Sequence, residues 1–92
     1  MKNYDIISQN YFESFVKSGD YNEGLRAIDL KLEEDPFSPL HLLVKAKLLF
    51  KKGNNDKAKV EIDKSWEVLK DADDRYRYKV EAQELMTELG IS

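Results

Sequence analysis

The chain is predicted to be all-α: five helices, arranged as antiparallel pairs joined by short turns. Three observations carry this. Only 4 Gly and 2 Pro occur in 92 residues, so the backbone has few places where it must break. Near the end, Tyr78, Ala82, Leu85, Met86 and Leu89 recur at spacings of three and four, the period of a helix face. The sequence also matches itself at one fixed offset. Lys17-Ser18-Gly19-Asp20 and Lys51-Lys52-Gly53-Asn54 lie 53 − 19 = 34 residues apart, and the same shift sets Gly24 on Ala58, Ile28 on Ile62, Asp29 on Asp63 and Glu33 on Glu67.

The first helix is expected from about residue 3 to Ser18, where Gly19 can adopt the left-handed conformation that stops it. Asp20 then stands as cap of the second helix, with Glu23 three residues on in the spacing of a capping box. Asp35-Pro36 ends that helix, because a residue before proline is pushed out of the α region. Ser38 is a good N-cap for the third helix and Pro39 fits its first position, where a missing N–H is harmless. That helix is expected over 39–52, with Lys51 and Lys52 at its negative end and Gly53 as its stop. Asn54 or Asn55 caps the fourth, which should reach about residue 70. The fifth is expected over 73–89, apolar on one side and charged on the other.

Composition bounds the function. Ninety-two residues make a single domain, 1–92, with 41% apolar and 36% charged residues. A net charge of −3 argues against nonspecific nucleic-acid binding, which needs a basic surface. The absence of Cys removes disulfides, thiolate metal sites and thiol nucleophiles. No apolar run approaches membrane-spanning length, and the N-terminus does not read as a signal peptide. The default is a soluble protein of a reducing compartment, cytoplasmic, without a membrane partner.

The 34-residue unit resembles the tetratricopeptide repeat. Leu42, Ala46 and Leu49 stand at first-helix packing positions of the second unit, Ala58 and Ile62 at second-helix ones. Gly19-Asp20-Tyr21-Asn22-Glu23 resembles the family's turn, and Pro36 stands where its proline belongs. The resemblance implies two and a half repeats (3–36, 37–70, and a C-terminal capping helix 73–89) stacked as a short right-handed solenoid. Some positions depart from the pattern: Phe12 and Lys31 replace small residues, Lys45 a leucine, Lys70 the second proline. Phe12 predicts a looser first crossing.

What the resemblance implies for function is protein or peptide binding in a concave groove lined by the first helix of each pair. Carried onto this chain, that groove holds Gln9, Glu13, Val16 and Lys17, then Leu40, Leu43, Lys47, Phe50 and Lys51, then Arg77 and Glu81. Leu43, Lys47 and Phe50 would form an apolar strip with a cation at its centre, suited to a partner whose apolar anchors flank an acid. The apolar wealth of 39–52 exceeds one buried stripe, so that helix is either covered on a second side or open there. The carboxylate clamp of some family members is not matched, since its places hold Gln9, Glu13, Val44, Asp74 and Tyr78.

Other candidates read as structure. His41 has no catalytic or metal-binding neighbours in sequence. Asp71, Asp73 and Asp74 lack the Gly and distal Glu of a calcium loop and fit helix capping better. Trp66 fits core packing. Arg75-Tyr76-Arg77-Tyr78-Lys79 interleaves bases and aromatics, but on a helix these point around the axis. There is no nucleophile–base set or Gly-rich phosphate loop, so neither an enzyme nor a cofactor is expected. The leading reading is a small adaptor or chaperone-like interaction module. The alternative is a self-associating building block whose apolar face is buried in a homo-oligomer.

Overall fold

Most helix stops in this chain fall at a glycine of positive φ or just before a proline, and five helices lie among the described residues. The computed structural model describes the backbone of residues 6–91 and the side chains of residues 10–91. The helices are α1 (Ile6–Ser18), α2 (Tyr21–Glu34), α3 (Pro39–Lys51), α4 (Asn55–Leu69) and α5 (Arg77–Glu88), with no strand among the described residues. The expected start of the first helix at residue 3 lies outside the described residues.

Gly19 and Gly53 close α1 and α3 at φ +85° and +91°, a region that L side chains enter at a penalty. At Gly53 the N–H donates to the Phe50 carbonyl (3.0 Å) and the Asn54 N–H to Leu49 (2.8 Å), which satisfies two of the last carbonyls of α3. Asp35 stands extended at φ −143° before Pro36, and α2 ends there.

The N-termini differ from expectation in their chemistry. Asp20, Ser38 and Asn54 occupy N-cap positions, yet none caps through its side chain. The Asp20 carboxylate accepts instead from the Ser18 hydroxyl at 3.2 Å, and Glu23 pairs with Arg26 at 3.2 Å, so no capping box forms. Ser38 is buried, and its hydroxyl has no hydrogen-bond partner among the described residues.

The fifth helix starts at Arg77, four residues later than the expected 73, because 70–76 is wound around a lysine. Lys79, only 6% exposed, donates to the carbonyls of Lys70 (2.9 Å) and Ala72 (2.8 Å) and to the Asp74 carboxylate (2.9 Å). It thereby satisfies orphan carbonyls at the end of α4 with a cation, the sign the helix dipole favours. Asp73 accepts from the Arg75 N–H at 2.8 Å, and its own carbonyl accepts from Tyr76. Asp73 and Asp74 of the acidic cluster thus serve the turn before α5.

α3 touches all four other helices, which explains why it is apolar nearly all round. Between α3, α4 and α5 lies a core built on Leu43, Ala46, Leu49, Ile62, Ala82 and Leu85, with Trp66 packed at its edge. Between α1, α2 and α3 lies a smaller one of Phe12, Ile28, Val44 and Leu48. Phe12, the residue expected to loosen the first crossing, belongs to this smaller core. It is buried edge-on against the His41 ring (5.4 Å between centroids), while Gly24 gives α1 its room. A β-carbon at Gly24 would sit 2.6 Å from Phe15 Cβ and 3.1 Å from Leu48 Cδ1. Lys45, at the expected leucine site, turns outward to Asp29 (2.8 Å) on α2.

Candidate functional site

The helices α1, α3 and α5 supply the candidate face, and a charged row marks its centre. Lys47 on α3 donates to Glu13 on α1 at 2.7 Å and to Glu81 on α5. Its neighbours in this row are 34 residues away on either side. Arg77, exposed on the first turn of α5, reaches Glu81 at 2.9 Å. The row is partly shielded from water, so each charge needs its partner. Burial works against the Lys47 ammonium, but the hydrogen bonds to Glu13 and Glu81 outweigh it and hold Lys47 above its ordinary value. Burial likewise works against the Glu81 carboxylate, and the bonds from Lys47 and Arg77 overcome it, holding Glu81 below the usual range.

One turn further along α3 the face opens into a cleft of about 220 Å³. It is lined by Val16, Lys47, Phe50, Lys51, Glu81, Glu84, Leu85 and Glu88. The same 34-residue interval orders it: Val16, Phe50 and Glu84 follow one another at that spacing, as do Lys51 and Leu85. Val16 and Phe50 are half-buried, and Leu85 forms part of the core behind them.

Of the groove residues carried over from the resemblance, the structure brings Val16, Lys47, Phe50 and Lys51 together at this cleft, with Glu13 and Arg77 in the row beside it. Gln9 falls outside the residues whose side chains are described. Leu40 and Leu43 belong to the core, at 2% and 0% exposure, because α4 and α5 both pack against α3. The apolar strip of Leu43, Lys47 and Phe50 is therefore not an open surface. Its cation is also engaged twice by the chain's own carboxylates, which leaves nothing central to attract an acid. Glu84 and Glu88, the outer acidic wall, were not among the expected site residues. Glu84 was legible from its 34-residue relation to Phe50, which had been named.

The remaining candidates have structural places. His41 packs against Phe12, and burial pushes its imidazole below the ordinary value, with Lys31 acting in the same sense against Asp35 and Glu34. Lys79 of the basic–aromatic run turns inward, and Tyr78 is buried. Among the described residues no group of three or more acidic or histidine side chains is placed to hold a metal ion. No described helix is long and apolar enough to cross a membrane. Comparison with family models, with curated proteins and with solved structures gives no match.

Proposed function

We propose that the chain is a tetratricopeptide-type repeat protein of two and a half units, stacked right-handed, that acts by holding a segment of another polypeptide against α1, α3 and α5. It works as a small adaptor and performs no chemistry of its own. The observation that carries this is the Glu13–Lys47–Glu81 row with the cleft beside it. Residues one repeat apart meet in space, which is the relation a stacked 34-residue repeat requires. An accessible cleft with an apolar floor and a charged rim is a surface suited to a peptide.

Photo-crosslinking from within the cleft tests the reading. With a crosslinker at Lys51, a partner band should form in native lysate and vanish in Val16→Ser/Phe50→Ser. It should persist in Val60→Ser/Val68→Ser, which alters exposed positions of α4. A band unaffected by the cleft variant would overturn the reading. Sedimentation of the isolated chain separates the self-associating alternative: a concentration-dependent oligomer abolished by the cleft variant assigns this face to a second copy instead.

A further inference from the structure

Beside the charged row, the same face carries carboxylates that no described residue neutralises. Glu84 and Glu88 are four residues apart on α5, one helical turn, and both line the cleft. Both are exposed, and neither has an ion pair among the described residues. Like charges at this spacing destabilise a helix. Glu81, one turn back, escapes the problem because Lys47 and Arg77 hold it. Of the two lysines in the lining, Lys47 is already shared by Glu13 and Glu81. That leaves Lys51 alone, on the opposite wall, against two carboxylates. Val16, Phe50 and Leu85 provide the apolar surface of the cleft.

We infer that the cleft takes a polypeptide segment in which an apolar side chain stands next to a lysine or arginine. The apolar side chain seats on Val16 and Phe50, and the cation meets Glu84 and Glu88. This deepens the peptide-binding reading and rests on it. An acidic segment meets the reverse situation, with two carboxylates at the rim and the central ammonium already engaged. Arginine suits the place best, since its planar fork can satisfy two carboxylates at once.

The test is a nuclear magnetic resonance titration of the full chain with three sets of short synthetic peptides. Each carries a leucine anchor, and the sets differ only in the neighbouring residue: arginine, glutamine or glutamate. The arginine set should shift the amides of Val16, Phe50 and Glu84 and bind about tenfold tighter than the glutamine set at low salt. Raising the salt should shrink that preference. Glu84→Gln/Glu88→Gln, at two exposed positions, should remove it while leaving the spectrum of the core in place. Glutamate peptides binding as well at the same amides would overturn the basic partner and leave the groove reading standing. Shifts confined to α2 or α4 would overturn both. Binding by none of the three sets also overturns the inference, and the crosslinking experiment then decides the groove reading on its own.

Discussion

Glu81 follows Lys47 by 34 residues, and the two side chains meet in a hydrogen-bonded ion pair between α3 and α5. Glu13 precedes Lys47 by the same interval and closes the other half of the row at 2.7 Å. One ammonium therefore ties together three helices that are distant in sequence, at partly shielded positions where an unmatched charge is costly.

Lys47→Met should lower stability by about 1–3 kcal/mol, since it leaves two carboxylates facing each other at limited exposure. Chemical denaturation checks this. The triple variant Glu13→Gln/Lys47→Met/Glu81→Gln should recover most of the loss. If Lys47→Met alone is neutral, the row contributes nothing to the packing of the three helices.

Gly24→Ala sets two opposed effects against each other. Alanine favours a helix over glycine by about 1 kcal/mol. Its β-carbon, however, would stand 2.6 Å from Phe15 Cβ on α1, and backbone-anchored atoms cannot swing away. The clash should win, with a net loss of roughly 1–3 kcal/mol. A more stable Gly24→Ala protein would show that α1 and α2 can part without penalty.

At Gly53 the cause is separate from space, because a β-carbon there meets nothing within 4 Å. The φ of +91° alone should make Gly53→Val unfavourable by about 1 kcal/mol or more, and Gly53→Asn less so. Equal losses for valine and asparagine would point to some other cause than backbone conformation.

Stability should fall on both sides of neutrality for stated reasons. Glu81 is held below its usual range, so its contribution is full above the unfolded value of about 4.3 and is lost as pH drops through the lower folded value. Asp74, hydrogen-bonded by Lys79, has the same sign. Lys47 is held above its usual range, so its contribution is full below about 10.4 and is lost as pH climbs through the higher folded value. Urea titrations across acid pH should show a shallower decline for Glu81→Gln than for the natural chain.

Lys79→Met should loosen the turn between α4 and α5 by about 1–3 kcal/mol, because the carbonyls of Lys70 and Ala72 lose their donor in a shielded place. Hydrogen exchange should report the change as faster exchange in α5. Protection unchanged in α5 would show that Lys79 does not fasten it.

The helices were legible in sequence where their ends rest on residues with one strong conformational preference, and the start of α5 was not. Gly19, Gly53, Pro36 and Pro39 each act through the local backbone, which a one-dimensional reading captures. Lys79 was not legible in this way. In sequence it belongs to a basic and aromatic run, and only the returning turn of 70–76 surrounds it with carbonyls. Leu43 was misplaced for a related reason: the coverage of α3 by α4 and α5 is tertiary, and α3 alone offers apolar residues on every side. Part of the charged row was within reach of the sequence. Glu13, Lys47 and Glu81 follow one another at 34 residues with alternating sign, a pattern that a search for like residues passes over.

That alternation bears on how the three helices can pack. Exact copying of one 34-residue unit would set lysine beside lysine, or glutamate beside glutamate, along the centre of the face. Three like charges at that separation would drive α1, α3 and α5 apart. The three helices close on each other here because the charges alternate. The change of residue type from 13 to 47 to 81 is thus a condition for the packing of α1, α3 and α5 along this row.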